Sequence, residues 1–136
     1  MSITLGLDVG GAHLKAALAC DGEIVFARQW PCPLWRGLNE LDAPLNELMN
    51  VAAGAQRIAI TMTGELSDIF PSRLDGERIL IERLVRQFSL KPAFWSADCA
   101  LISAEKARNQ PGLVGSMNFL ATATLAAKQV GDGMLI

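Results

Sequence analysis

The residues best suited to chemistry in this sequence lie in a short run near its N-terminus. Asp8, Gly10 and Gly11 follow an alternating apolar segment, and Lys15 comes four residues after the second glycine. Glycines at such a turn tolerate positive φ and let backbone N–H groups approach an anion. A carboxylate beside that anion suits Mg²⁺, which takes few carboxylates and keeps several waters. We therefore expect Asp8 to hold Mg²⁺, with Gly10, Gly11 and Lys15 binding phosphate.

An ordinary hairpin is the competing interpretation of this run, because aspartate and glycine are also common turn residues. The run lacks the G-x-x-x-x-G-K-[ST] spacing of a P-loop and the G-x-G-x-x-G spacing of a dinucleotide fold. His13 is the one histidine of the chain, which argues against any multi-histidine metal site. The residues alone leave a phosphate site and a simple turn open.

A second polar group follows an apolar segment in the middle of the chain. Thr61, Thr63, Glu65 and Asp68 stand at and just beyond the end of a strand predicted over 57–62. Ligands of open α/β sheets bind at the carboxyl ends of the strands, so the two threonines are candidate ligand-binding groups. Glu65 and Asp68 are candidate catalytic groups, as Mg²⁺ ligands or as the base that orients a nucleophile. The competing interpretation is a turn followed by a solvated loop.

Arg36 is a third candidate, since a guanidinium can bind a diphosphate through two parallel hydrogen bonds. It stands between Trp35 and Gly37 in a segment that contains two prolines. A surface arginine beside a loop tryptophan is more often a packing feature, so this segment on its own is a weak signal.

The hydrophobic pattern indicates the elements that must position these groups. Alternating apolar residues and the Asp21-Gly22 turn signal predict three consecutive antiparallel strands. The first contains Ile3, Leu5 and Leu7, and the other two cover 14–20 and 23–30. Further elements are predicted as a helix over 39–53 with a kink or restart at Pro44, a strand over 57–62, a helix over 77–88, a strand over 93–96, and helices over 100–108 and 113–130.

The order βββαβαβαα predicts an α/β fold, a ribonuclease-H-like mixed sheet in which three antiparallel strands precede parallel strands and helices flank the sheet. The segment 113–130 has small and apolar residues almost all round, so we expect that helix to be buried from several sides.

The composition limits the partners of the chain. With 136 residues, 51% of them hydrophobic and 19% charged, we expect one compact domain over 1–136. A net charge of −2 gives no basic field, which argues against nucleic acid and anionic membrane as partners. The sequence begins without the basic and apolar regions of a signal peptide, so a cytoplasmic location is expected. Cys20, Cys32 and Cys99 are widely spaced, which favours reduced thiols over disulfides or zinc.

Four segments carry a resemblance to a known family. The run LGLDVGGAHLKAAL (5–18) resembles the first phosphate motif of the actin, sugar-kinase and Hsp70 ATPase superfamily, and more sharply that of its hydantoinase/oxoprolinase branch. With CPLWRGLNELDAPL (32–45), AITMTGELSDIF (59–70) and the small-residue helix containing Asn118, it resembles a narrow group in that branch. That group comprises proteins of tetrahydromethanopterin-linked one-carbon transfer and methanofuran biosynthesis.

The resemblance implies a transferase. Its reaction joins an aminomethylfuran diphosphate to the phenol of glutamylated tyramine with loss of pyrophosphate. Mg²⁺ and the phosphate loop would stabilise the leaving group, and Glu65 or Asp68 would take the phenol proton. The ligand bound by the loop would be ATP or a diphosphate ester. A small-molecule kinase of the same superfamily and a non-catalytic module are the two alternatives.

The resemblance also implies an incomplete site. Family members consist of two half-units, so we expect this chain to be the N-terminal half and to be inactive alone. A phosphorylated small molecule is its expected ligand, and its expected partner is a second copy or a complementing C-terminal half. The helix over 113–130 and the apolar residues 134–136 are the surfaces expected to mediate that association.

Overall fold

The computed structural model describes residues 1–131, which form a six-stranded mixed sheet with flanking helices. The strands are β1 (Ile3–Val9), β2 (His13–Cys20), β3 (Glu23–Pro31), β4 (Arg57–Met62), β5 (Ala93–Trp95) and β6 (Leu101–Ser103). The α-helices are α1 (Asp42–Val51), α2 (Arg73–Gln87), α3 (Ala104–Asn109) and α4 (Asn118–Val130). Short 3-10 helices cover Leu34–Arg36, Leu38–Leu41, Gly64–Leu66 and Pro111–Leu113. The predicted fold class, a mixed α/β sheet consistent with a ribonuclease-H-like fold, is confirmed.

The sheet has the order β3-β2-β1-β4-β5-β6. The first three strands are antiparallel neighbours, β4 and β5 run parallel to β1, and β6 is antiparallel to β5. At the turn between β2 and β3, Asp21 has φ 50° and Gly22 has φ 89°. Two successive positive φ angles are the geometry that Asp-Gly favours in a two-residue hairpin, so the predicted turn is confirmed.

Alternation along the strands divides the sheet into two faces. On one face, large apolar side chains of β1, β2, β4 and β5 are buried against α1, α2 and α3 in one hydrophobic cluster. Its members include Leu5, Leu7, Val9, Leu14, Ile58, Ile60, Met62, Phe94, Leu45, Leu48, Leu80, Ile81, Leu84 and Ala107. We call this the covered face. The residues between them point to the other side of the sheet, which we call the open face because none of its β1, β2 or β4 residues is buried.

The region after β5 differs from the prediction. The helix predicted over 100–108 begins later, because Leu101–Ser103 pairs with β5 as the edge strand β6. Burial of Ile102 opposite Phe94 stabilises this pairing over a helical turn. Ser103 then caps α3 by accepting a hydrogen bond from the Lys106 amide.

The predicted helix over 113–130 is shorter and far more exposed than expected. Residues 114–117 are not helical, α4 begins at Asn118, and none of its 13 residues is buried. The expectation of a helix buried from several sides is therefore wrong for residues 1–131. The sequence showed its apolar character, but that character does not specify which surface covers it.

Smaller differences concern α1 and α2. Pro44 is the third residue of α1, where its missing N–H would have no intrahelical partner, so no kink is needed. The second helix begins four residues earlier than predicted, because the Ser72 side chain accepts a hydrogen bond from the Asp75 amide and caps it. No helix within residues 1–131 has the length and apolar character needed to cross a bilayer. The predicted contribution of residues 134–136 to association lies outside the described residues.

Candidate functional site

The β1–β2 hairpin places Asp8 on the open face near the carboxyl end of β1. The register aligns Asp8 with Lys15 on β2 and with Thr61 on β4. Lys15 Nζ lies 3.2 Å from Asp8 Oδ2, and Thr61 Oγ1 donates to Asp8 Oδ1 at 3.3 Å. Asp8 therefore contacts both of the other predicted site residues, one on each neighbouring strand.

The contact between Asp8 and Lys15 changes what each can contribute. The side chain of Lys15 is 53% exposed and that of Asp8 is 24% exposed, and an ion pair at this exposure contributes little to stability. Both groups are therefore available for rearrangement around a ligand. While paired, however, the positive charge of Lys15 is balanced by Asp8, so the pair does not act as the isolated cation that the sequence suggested.

The tip of the hairpin supplies backbone donors. The Gly10 N–H donates to His13 O at 2.9 Å, and the Gly11 and Ala12 carbonyls accept from the Leu34 and Cys32 amides. Within residues 1–131, the amides of Gly11 and Ala12 themselves donate to no protein acceptor. Two successive unpaired N–H groups at an exposed turn are suited to bind an anion.

The two glycines serve the tip sterically rather than through left-handed backbone. Neither Gly10 nor Gly11 has a positive φ, contrary to the expectation for this turn. A Cβ on Gly10 would lie 3.0 Å from His13 O and 3.7 Å from Thr63 Oγ1, whereas a Cβ on Gly11 would meet nothing within 4 Å. Gly10 is therefore needed for close approach, and Gly11 faces open space where a ligand can approach.

The loop after β4 packs directly on this tip. The Thr63 amide donates to Val9 O at 2.9 Å. A Cβ on Gly64 would lie 2.7 Å from Leu34 Cδ1 and 3.3 Å from Val9 O, so a side chain here would force the buried Leu34 or the loop to shift. Thr63 is thus held beside Gly10, and its role in ligand binding stays a prediction.

Arg36 is exposed at the end of the 3-10 helix Leu34–Arg36, whose first residue bonds to the hairpin tip. Its backbone amide donates to Pro33 O at 3.0 Å. Arg36 is therefore two residues from Leu34, whose amide donates to Gly11 O. Its role in binding a diphosphate stays a prediction.

The two candidate catalytic carboxylates occupy different environments. Asp68 is exposed, whereas Glu65 is only 1% exposed and accepts a hydrogen bond of 2.5 Å from Ser116 Oγ. The second carboxylate oxygen of Glu65 is buried without a hydrogen-bond partner within residues 1–131. Because Glu65 faces the interior, the geometry does not support its predicted contact with a substrate.

A buried polar cluster surrounds Glu65, and sequence reasoning missed it. Arg73 bridges the 115–116 segment to α2, because its guanidinium donates to Gly115 O at 3.1 Å and lies 3.2 Å from Glu77 Oε1. Burial raises the pKa of Glu77, the Arg73 charge opposes this shift, and the Glu65 charge adds to it. Glu77 stands between Gly76 and Arg78 in a charged part of α2, so the sequence gives no signal that its carboxylate is buried.

The 115–116 segment is tightly fixed by these contacts. The Ser116 amide donates to Met62 O at 3.0 Å, and Gly115 forms a parallel bridge with Met62. The segment therefore pairs with the last residue of β4. Ser116 has φ 56°, a strained conformation for a residue with a side chain. A Cβ on Gly115 would clash with Glu77 Oε1 and lie 2.8 Å from Glu77 Cδ, so a side chain at this position would displace the Glu77 carboxylate. The cluster therefore fixes the start of α4 relative to the end of β4.

No protein-family model matches the chain, but comparison with known proteins finds relatives that include a synthase and a kinase. The chain is 24% identical over 132 residues to the (4-{4-[2-(gamma-L-glutamylamino)ethyl]phenoxymethyl}furan-2-yl)methanamine synthase of Methanocaldococcus jannaschii, a match covering 97% of this chain and 39% of the synthase. It is also 40% identical over 67 residues to the N-acetylmannosamine kinase of Escherichia coli K12, covering 48% of this chain and 23% of the kinase. The matched region thus spans well under half the length of both relatives.

Proposed function

We propose that this chain forms the phosphate-binding wall of a transferase site. The proposal rests on three features that lie together at the carboxyl ends of β1 and β4. The unpaired amides of Gly11 and Ala12, the Asp8–Lys15 pair and Thr63 all lie at the hairpin tip or at the strand ends beside it. Strand ends of open α/β sheets are where such ligands bind.

In this site the anionic groups of the ligand would accept hydrogen bonds from the tip amides and contact Lys15. Asp8 would hold Mg²⁺, which would neutralise charge on the phosphate oxygens of a leaving group. The chemistry of the donor set fits this ion, because Asp8 keeps lone pairs beyond those used by Lys15 and Thr61. No group of three histidine, cysteine, aspartate or glutamate side chains assembles within residues 1–131, so waters and phosphate oxygens would complete the shell.

The similarity to the methanofuran pathway synthase supports a finer form of the proposal. A phenol oxygen would attack a furan methylene carbon, the carbon–oxygen bond to the diphosphate would break, and pyrophosphate would leave. The phenol proton would pass to a carboxylate, for which the exposed Asp68 is more accessible than the buried Glu65. Because the match covers 39% of the synthase, we propose that a second unit supplies the other wall and that the chain alone does not turn over.

A kinase of the same superfamily is the second candidate. The observation that favours it is the 40% identity over 67 residues to N-acetylmannosamine kinase. In that case the same phosphate site would bind the phosphates of ATP, and the acceptor would be a hydroxyl group of a sugar. Saturable ATP binding that exceeds pyrophosphate binding would favour the kinase over the synthase.

Calorimetric titration with pyrophosphate tests the proposal, with and without Mg²⁺. The wild-type chain is expected to bind more tightly with Mg²⁺, and ligand at tenfold excess over Kd should stabilise it by about 1.4 kcal/mol. Asp8→Ala should lose the Mg²⁺ dependence while still binding pyrophosphate alone, because Lys15 is then unpaired.

The matched control is Glu23→Ala. This variant removes an exposed carboxylate at the start of β3, beside the turn at the opposite end of the strands. This variant should titrate like the wild type. Identical titrations for Asp8→Ala and the wild type would show that the site has been misplaced.

A further inference from the structure

The loop after β4 contains a short turn that contacts three other parts of the chain. Its centre is the 3-10 helix Gly64–Leu66, and we call residues 63–67 the Thr63 turn. The Leu66 amide donates to Thr63 O at 3.2 Å, and the Ser67 amide donates to Gly64 O at 3.0 Å. Because these two bonds overlap along the backbone, a contact made by one residue of the turn constrains the others.

The Thr63 turn packs against the hairpin tip. The Thr63 amide donates to Val9 O at 2.9 Å, and a Cβ on Gly64 would lie 2.7 Å from Leu34 Cδ1. The Leu34 amide in turn donates to Gly11 O at 2.9 Å. The turn therefore contacts the end of β1 just before the tip and also the segment that bonds to the tip.

Glu65 connects the same turn to α2 and to the segment before α4. A Cβ on Gly76 of α2 would lie 2.7 Å from Glu65 O, so this helix packs directly on the backbone of the turn. Ser116 Oγ donates to Glu65 Oε1 at 2.5 Å. A hydroxyl-to-carboxylate distance this short is typical of a charge-assisted hydrogen bond, which is stronger than a neutral one. The side chain of Glu65 thus ties the turn to the 115–116 segment.

Packing alone does not account for a carboxylate at this position. Glu65 is 1% exposed, and its Oε2 has no hydrogen-bond partner among residues 1–131. Burying such a group costs free energy that an apolar side chain of similar size would not cost. Ser116 has φ 56°, a strained conformation that persists only where its surroundings fix it. A costly buried group that bonds to a strained residue indicates a local geometry that has to be held.

We propose that Glu65 is a positioning residue for the hairpin tip. Through the hydrogen bond from Ser116, its side chain fixes the Thr63 turn, and the packed turn fixes the direction of the Gly11 and Ala12 amides. The effect of Glu65 on ligand binding rests on the proposed function, in which these amides bind phosphate. The carboxylate itself contacts no ligand.

A merely structural role is the alternative, in which α2 alone holds the Thr63 turn and Glu65 fills space. The two roles differ at the hairpin tip. In the structural role, loss of the Ser116 hydrogen bond lowers the stability but leaves the Gly11 and Ala12 amides of the folded protein unchanged. In the positioning role, the same loss displaces these amides even when no ligand is bound.

NMR of the ligand-free protein is the first test. Ser116→Ala and Glu65→Leu should shift the amide resonances of Gly11 and Ala12, although both positions are far from the tip in the sequence. Glu65→Gln should keep the wild-type resonances, because its amide oxygen still accepts the hydrogen bond from Ser116. The matched control is Ser103→Ala, which removes the cap of α3 at an exposed site and should leave the tip amides unshifted.

Calorimetry with pyrophosphate and Mg²⁺ is the second test, at a temperature where all variants are folded. Ser116→Ala and Glu65→Leu should weaken binding by about fivefold or more, the lower end of ordinary couplings between sites. Glu65→Gln and Ser103→Ala should bind as the wild type does. If Glu65→Gln weakens binding as much as Glu65→Leu, the charge acts rather than the hydrogen bond, and the proposal is overturned.

The two measurements distinguish a failure of this proposal from a failure of the phosphate site. A wild type that does not bind pyrophosphate would refute the site, and the ligand-free resonances would still decide whether Glu65 positions the tip. Wild-type tip resonances in Ser116→Ala and Glu65→Leu would overturn the proposal, as would binding of pyrophosphate by both variants at the wild-type affinity. Ser116→Ala decides alone if Glu65→Leu does not fold.

Discussion

The two faces of this sheet show how neighbouring residues of one strand can serve different purposes. On the covered face, Leu7 and Ile60 are 4% and 1% exposed and belong to the hydrophobic core. On the open face, Asp8 and Thr61 contact one another and point away from that core. Successive residues of a strand point to opposite faces. Adjacent residues of one strand therefore contribute to the core and to the candidate binding face, respectively. Substitutions on the two faces should have separable effects on stability and binding.

The largest expected difference is between adjacent positions of β4. Ile60→Ala removes a side chain that is 1% exposed and should lower the free energy of unfolding by about 2–5 kcal/mol, because it leaves a cavity in the core. Thr61→Ala should cost no more than about 1 kcal/mol, since it removes one hydrogen bond on a partly exposed surface. Urea unfolding of both variants measures the two values. Equal losses would show that the open face is part of the folding core.

The buried cluster around Glu65 should make a measurable contribution to stability. Ser116→Ala removes the hydroxyl that donates to Glu65 and leaves both oxygens of that buried carboxylate without a protein donor. We expect a loss of about 1–3 kcal/mol in the free energy of unfolding. Ser103→Ala is a useful comparison, because it removes a helix cap at an exposed site. If Ser116→Ala unfolds at the wild-type urea concentration, the cluster does not hold the 115–116 segment.

The pH dependence of stability should report the burial of Glu77. Its pKa is raised in the folded state above the ordinary value of 4.5, chiefly by burial, so the folded protein binds its proton more tightly than the unfolded chain does. This contribution to stability is fully present below pH 4.5 and is lost as pH rises through the raised pKa.

Glu77→Gln should abolish that part of the slope. Glu82→Gln provides a contrast of opposite sign, because the Arg108 hydrogen bond lowers the pKa of Glu82. The stability that Glu82 contributes is present above pH 4.5 and lost as pH falls through its lowered pKa, so it increases with pH. Unfolding measured from about pH 3 to pH 7 for the three proteins covers both windows and separates the two contributions. Parallel curves for the wild type and Glu77→Gln would contradict the burial of this carboxylate.

Much of the fold could be predicted from the sequence, because its determinants are local. Period-two alternation and the Asp21-Gly22 turn specify the three antiparallel strands, and the apolar run 57–62 specifies β4. Strand β6 was missed because Leu101–Ser103 is only three residues long and depends on pairing with β5. The exposure of α4 was missed because periodicity identifies an apolar surface without identifying what covers it.

The candidate site was also predictable in part, namely where its contacts follow from strand pairing. The contact of Asp8 with Lys15 follows from the hairpin register, and the approach of Thr63 follows from the parallel pairing of β1 and β4. The burial of Glu65 depends on Ser116, which is 51 residues away in the sequence. Such a contact has no local pattern, so the sequence could not distinguish an interior carboxylate from a catalytic one.

The most direct test of the phosphate site follows individual backbone amides by NMR during titration with Mg²⁺ and pyrophosphate. The account predicts saturable shifts at Gly11 and Ala12, which lack protein acceptors within residues 1–131, with little change at Gly22 in the opposite turn. Asp8→Ala should weaken these shifts when Mg²⁺ is present. Unshifted tip amides at saturating ligand, or equal shifts at Gly22, would contradict the central claim that the β1–β2 hairpin binds phosphate.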